Sequence, residues 1–203
     1  MPKHDHLHTL PIIERYPEGV WKAINFAARA HETQIRKMSG KHYIEHPFGV
    51  LEIVRTVTSD ESTHQAAVLH DTVEDTTVTF DDLRNEFGDA VARQVWGVTK
   101  DDEIAHWRPR NEAYLQRLEF EAPDGSILVA LSDKMHNITD MIASFEAYGD
   151  RMWDKFSAKA DDQLWWYTSV LDIGKRRLPN CPLNDALEAL IMIFVRTVVD
   201  KTE

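Results

Sequence analysis

Apolar residues in this chain recur three and four positions apart almost from end to end, and few stretches alternate apolar with polar residues for long. A helix returns to one face every 3.6 residues and a strand every second residue, so this pattern selects helices packed on helices. Glycine and proline, eight of each in 203 residues, are too sparse to punctuate many short strands. Val20, Ile24, Ala27 and Ala28 begin a first helix that is expected to reach about Glu32. Pro47 opens a second, with Val50, Leu51, Val54 and Val57 on one stripe. Thr63 to about Val73 forms a third, more apolar and therefore central. Thr79 caps a short helix with Asp81 and Asp82 in its first turn, Gly88 ends it, and Asp89–Thr99 follows.

The next helix is expected from about Pro109 to Glu119. The run Ile127–Leu131 reads as buried strand or buried helix by periodicity alone; a helix continuing to about Phe145 fits better, because no partner strand is apparent. Two long helices, about Lys155–Leu171 and Leu183–Val199, flank the breaker Arg177–Pro182. The expectation is one all-α domain over residues 1–203, with 1–16 as a flexible lead-in and 172–203 as a helical extension. The apolar segment Ala186–Val199 could pack internally or against a second subunit, which leaves a homo-oligomer open.

No run of about 18 apolar residues is present, which argues against a membrane partner, and the N-terminus lacks an apolar signal core, so the expected location is cytoplasmic. The single cysteine, Cys181, agrees with a reducing compartment. A net charge of −11 argues against a nucleic-acid partner, which calls for a basic face. An anionic small molecule stays admissible, because the local pair Arg36–Lys37 together with a metal can reverse the field inside one cleft.

The chemistry is concentrated in Ala66-Ala67-Val68-Leu69-His70-Asp71-Thr72-Val73-Glu74-Asp75-Thr76, where an imidazole and three carboxylates follow an apolar run. On a continuous helix, Glu74 lies four residues after His70 and Asp75 four after Asp71, so these side chains share a face. His46 precedes Pro47, and Asp133 lies beside Lys134, His136 and Asn137. If His46, His70, Asp71 and Asp133 converge, two imidazoles and two carboxylates suit Mn²⁺, Fe²⁺ or Zn²⁺, with the oxygen share leaning towards Mn²⁺. His31 and His136 read as structural or supporting histidines, His4, His6 and His8 as part of a polar tail, and Trp165 and Trp166 as core. Trp107, Arg108, Arg110 and Tyr114 are weaker candidates for the border of a substrate site.

Four segments in order then resemble the HD-superfamily hydrolase domain of RelA/SpoT proteins. They are Ala30–Pro47 with Arg36-Lys37-Met38-Ser39 and His46, the His70–Thr76 block, Phe87–Val91 with Gly97–Lys100, and Leu131–Asn137. The length of the chain places the resemblance with the stand-alone small alarmone hydrolases, including metazoan SpoT homologues. The resemblance implies an α-helical HD-domain bundle and one Mn²⁺ held by His46, His70, Asp71 and Asp133. It implies hydrolysis of the 3′-pyrophosphate of guanosine tetra- or pentaphosphate, with Glu74 and Asp75 acting on the attacking water. Arg36 and Lys37 match residues that meet the nucleotide, Ser39 falls near its base and Asn137 beside its ribose. The chain departs from the pattern at His42, where proline is usual, at Met38, and at Ala130, where a basic residue is common. These departures leave the ligand set intact and fall largely on the base-binding loop. Adenosine alarmones and the phosphate of NADPH therefore stay open as substrates, as do a catalytically silent nucleotide-binding regulator and a nucleoside-monophosphate phosphatase.

Overall fold

A computed structural model of the chain describes residues 16–36, 38–156 and 158–202. Among the described residues ten α-helices run in order: α1 Glu18–Ala30, α2 Glu45–Val54, α3 Glu61–Leu69, α4 Thr72–Asp75, α5 Phe80–Phe87, α6 Asp89–Val98, α7 Trp107–Phe120, α8 Asp124–Tyr148, α9 Ala160–Arg177 and α10 Pro182–Thr197. Tight 3₁₀ turns occupy Gly149–Lys155 and Val199–Lys201. The only β-type pairing among the described residues is an isolated bridge between Ile35 and His42. No described helix is long and apolar enough to cross a membrane.

The segment around Ile127–Leu131 is helical, as expected, and α8 is the axis of the molecule, packing against α2, α3, α6, α9 and α10. An uninterrupted stretch from Val129 to Lys134 is buried, which explains why this part of the sequence shows no clear polar face. Helix α3 behaves likewise: Ala66 to Leu69 are fully buried between α1, α2, α6 and α8. Burial of four consecutive residues leaves no solvent stripe for the next turn to occupy. The side chains that follow at positions 70 and 71 are thereby delivered against α2 and α8.

Local signals set the helix ends. Asp60 caps α3 by accepting from the Thr63 amide at 2.9 Å. Thr79 and Asp82 form a reciprocal capping box on α5, with the Thr79 amide donating to Asp82 Oδ2 at 2.9 Å. Gly88, at φ 86°, joins α5 to α6 in a backbone region open to glycine. Helix α2 starts two residues before Pro47, which sits in the first turn where its missing N–H removes no helical bond. Helix α9 runs later than its periodicity suggests. The expected start at Lys155 falls in the 3₁₀ turn, and the C-terminal end extends to Arg177, whose guanidinium donates to the carbonyl of Ala122 and to Asp124. Helix α10 buries Leu183, Leu187, Ile191 and Phe194 against α8 and α9 and leaves Met192 and Ile193 exposed.

One expectation about the chemistry fails locally. His70, Asp71, Glu74 and Asp75 do not lie on one continuous helix: α3 ends at Leu69 and α4 begins at Thr72. The His70 ring donates from Nδ1 to the Ala67 carbonyl at 2.8 Å, and the Thr72 hydroxyl donates to the Leu69 carbonyl at 2.7 Å. These side chains take carbonyls that the next helical amides would have used, and the chain turns. Asp71 sits at φ −95°, ψ −5°, the bridge region frequented by active-site residues.

Candidate active site

The break between α3 and α4 brings side chains distant in sequence to one point. His46, from the first turn of α2, places Nε2 3.1 Å from Asp133 Oδ1 on α8 and 3.4 Å from Asp71 Oδ2. His70 Nε2 lies 3.1 Å from Asp71 Oδ2 and 3.8 Å from Asp133 Oδ1. The sequence-derived set His46, His70, Asp71 and Asp133 is therefore gathered, and all but Asp71 are buried. His46, His70 and Asp71 also form the group of potential ligands whose donor atoms lie within 4.8 Å of one another.

This donor set fits a divalent cation. His70 Nδ1 is committed to the Ala67 carbonyl, so in the neutral ring Nε2 carries a lone pair, and that buried atom has no hydrogen-bond partner among the described residues. A bare lone pair facing carboxylate oxygens is repulsive unless a proton or a cation lies between them. Ligand atoms sharing one ion at roughly 2.0–2.2 Å stand about 3 to 3.5 Å apart, close to the 3.1–3.8 Å separations found here. In the metal-free protein a proton takes that place. Burial by itself would lower the proton affinity of His70, but the adjacent Asp71 carboxylate outweighs it and raises the imidazole to about 9. Burial likewise opposes ionisation of Asp71 and Asp133, yet His70 beside Asp71, and Lys134 beside Asp133, hold both carboxyls well below the usual range.

Further groups lock the acids. The Tyr43 hydroxyl donates to Asp71 Oδ2 at 2.7 Å; Lys134 pairs with Asp133 Oδ2; Asn137 Nδ2 donates to Asp133 Oδ1 at 2.5 Å. Buried Lys134 lies 4.9 Å from the Trp166 ring centre and 5.7 Å from that of Tyr114, so an aromatic floor carries its charge.

Glu74 and Asp75 occupy different environments. Both oxygens of Glu74 are held by Lys100, one by its amide and one by its ammonium, each at 3.0 Å. Asp75 is exposed at the cleft, with Gln34 donating to its main-chain carbonyl at 2.5 Å. Partial desolvation, and then the charge of Asp71, raise the proton affinity of the Asp75 carboxyl.

His46, Asp71, Asp133, Glu74 and Asp75 line a cleft of about 770 Å³, within the size range of small-molecule sites, with His70 directly behind Asp71. Arg36, Ser39 and Asn137 also line it. Arg36 pairs with Asp140 and contacts Asn137 Oδ1 at 3.4 Å, whereas Ser39 stands apart on the exposed loop before α2. Lys37, like residues 1–15 with His4, His6 and His8, lies outside the described residues. Trp107 reaches the cleft wall, Arg108 stacks on Trp165 3.3 Å from the ring centre, Arg110 pairs with Asp102, and Tyr114 is buried below Lys134. Trp166 is 6% exposed and lines the cleft. Tyr43, Lys100 and Lys134 lie within the motif segments without standing out as candidates in sequence; only contacts across the fold distinguish them from their neighbours.

This fold and acid–imidazole cluster define a helical metal-site hydrolase architecture, and the comparisons agree. Residues 23–150 match the HD-domain family model, so the chain belongs to the HD-domain family. The guanosine-3′,5′-bis(diphosphate) 3′-pyrophosphohydrolase MESH1 of Danio rerio is 43% identical over 126 residues, covering 59% of this chain and 67% of the relative. The human MESH1 is 41% identical over 123 residues, 59% and 68% respectively. A guanosine-3′,5′-bis(diphosphate) 3′-pyrophosphohydrolase of Aquifex aeolicus is 37% identical over 131 residues, 63% of this chain but 19% of that longer protein. The solved structure of a metazoan orthologue of SpoT, described as hydrolysing ppGpp, superimposes with a TM-score of 0.70 at 25% identity, covering 89% of this chain and 96% of that one. Membership of the HD family and the His–His–Asp cluster together indicate a divalent metal site.

Proposed function

We propose that this chain is a metal-dependent phosphohydrolase that removes the 3′-pyrophosphate of a guanosine tetra- or pentaphosphate alarmone, releasing pyrophosphate and GDP or GTP. The observation that carries this reading is the buried, unpartnered Nε2 of His70, aimed at Asp71 and Asp133 beside His46 at the floor of a cleft with two further acids. The relatives named for this activity support the choice of substrate.

His46, His70, Asp71 and Asp133 would hold the ion, which we assign as Mn²⁺ from the even mixture of nitrogen and oxygen donors. Bound there, it would acidify a water and offset phosphoryl charge. Asp75, with its raised proton affinity and open face, takes the proton from the attacking water. Glu74, fixed at both oxygens by Lys100, orients that water. Arg36 and Lys37 meet the substrate phosphates, with Ser39 towards the base and Asn137 towards the ribose. Arg36 is paired to Asp140 in this structure, so substrate anions compete with that carboxylate for the guanidinium. Water attacks the 3′-linked phosphorus, the bond from phosphorus to the ribose oxygen breaks, and that oxygen leaves with a proton.

The test is incubation of Mn²⁺-loaded protein with guanosine and adenosine tetraphosphates, NADPH and nucleoside monophosphates, with products separated by ion exchange. Pyrophosphate released from the guanosine compound in preference to the others is expected. Orthophosphate from NADPH or monophosphates alone, or tight binding without turnover, would overturn the assignment.

A further inference from the structure

His70 and His46 both turn Nε2 towards the same carboxylates, but the opposite nitrogen of each ring is held differently. His70 Nδ1 faces the Ala67 carbonyl at 2.8 Å, an acceptor fixed in the main chain. His46 Nδ1 faces another imidazole, with His136 Nδ1 at 3.1 Å. A neutral imidazole has one N–H and one lone pair, so a single proton must sit between those two nitrogens. Two N–H groups, or two lone pairs, could not face each other at that separation.

We propose that His136 is a positioning residue whose Nδ1 accepts from His46 and thereby fixes the tautomer of His46 that leaves Nε2 free for a divalent ion. The proposal rests on the metal-centre reading above. Without an ion the opposite arrangement has partners in place: His136 Nδ1 can donate to His46 Nδ1, and a His46 Nε2–H would face Asp133 Oδ1, 3.1 Å away. With an ion held at Nε2, the proton of His46 would sit on Nδ1, and that N–H, on a ring 2% exposed, would need His136 as its acceptor.

The fold keeps space for this ring. His136 lies one helical turn beyond Asp133 on α8, so one helix supplies both a ligand and the support of the other histidine. Gly49 on α2 faces it, and a Cβ at that position would overlap His136 Cδ2 and Nε2. The two imidazole centroids lie 4.8 Å apart at 69°, an edge-on approach that aligns the Nδ1 atoms.

The experiment measures equilibrium affinity for Mn²⁺ alone, by chelator competition, together with the thermal midpoint of each metal-free protein. His136→Phe keeps a ring in the Gly49 notch but removes the acceptor. It is expected to leave the metal-free midpoint close to wild type and to weaken Mn²⁺ binding about 10- to 100-fold. His136→Asn, whose amide oxygen can take the place of Nδ1, should recover affinity to within a few-fold. Gly49→Ala should weaken binding by displacing the ring, with little further loss in the Gly49→Ala/His136→Phe double variant. His136→Phe binding Mn²⁺ as tightly as wild type, or His136→Asn binding as weakly as His136→Phe, would overturn the role of His136 while leaving the metal centre standing. Wild-type protein unable to bind Mn²⁺ would overturn both.

Discussion

The floor and the rim of the cleft are built on different terms. On the floor, His46, His70 and Asp133 are at most 8% exposed and come from helices that pack on one another, α2, the end of α3, and α8. Their polar atoms are hydrogen-bonded to other protein groups, except that His70 Nε2, 3.1 Å from Asp71 Oδ2, completes no hydrogen bond there. On the rim, Ser39, Lys41 and Asp75 are exposed and belong to loops or to a single helical turn. The departures from the family pattern at Met38 and His42 also fall on the rim, beside the Ile35–His42 bridge. A packed floor fixes donor positions and tolerates little change, whereas a solvated rim can vary without disturbing the ligands. On the proposed function, the chemistry is built into the core and selectivity is left to the surface.

The largest effect tests the floor. Asp71→Ala removes the carboxylate shared by His46, His70 and Tyr43, and is expected to abolish both metal retention and turnover, read by metal analysis and product release. Retention of stoichiometric metal would break the contrast at once. Glu74→Gln and Asp75→Asn, at the boundary of the two regions, should keep the metal and lose turnover by about 10²- to 10⁴-fold. Asp75→Asn should also flatten the acid limb of the pH–rate profile if Asp75 carries the proton. Lys100→Met frees one oxygen of Glu74 and is expected to lower kcat about tenfold with a smaller change in KM, while Lys100→Arg restores part of the loss. An unchanged kcat would show that Glu74 needs no clamp.

A pH series sharpens the same division. His70 is raised to about 9 in the metal-free fold, against roughly 6.5 in an unfolded chain. Its protonation therefore stabilises the metal-free protein fully below about pH 6.5, and that contribution is lost as pH rises through 9. The metal-free thermal midpoint should fall across this window, while Mn²⁺ affinity should rise because the competing proton leaves. A metal-free midpoint that is flat from pH 6.5 to 9 would contradict the assignment. The smallest effect lies remote from the cleft: Thr79→Ala breaks the α5 capping box and should cost about 1 kcal/mol of stability by denaturant unfolding, with activity unchanged.

Much of this architecture is legible in the chain itself. Period-3.6 apolar spacing announces the helices, Thr79 and Gly88 mark the limits of α5, and the four motif segments contain His46, His70, Asp71 and Asp133, though not the aromatic support of Tyr114 and Trp166. The errors have specific causes. His70 and Thr72 have helical neighbours, so periodicity runs through them; only the side-chain bonds to the Ala67 and Leu69 carbonyls reveal the turn. Lys155 lies in an apolar-periodic stretch, yet the chain there winds into a 3₁₀ turn and starts α9 at Ala160.

Residue types and spacing are local properties, and they suffice to name helices, caps and candidate donor residues. Which oxygen of Asp133 faces His46, why Glu74 is clamped while Asp75 stays open, and which imidazole stands behind His46 depend on contacts between residues 26 to 90 positions apart. Such contacts exist only after α8 has packed against α2 and α3, because burial then forces each polar atom to find its partner across the fold.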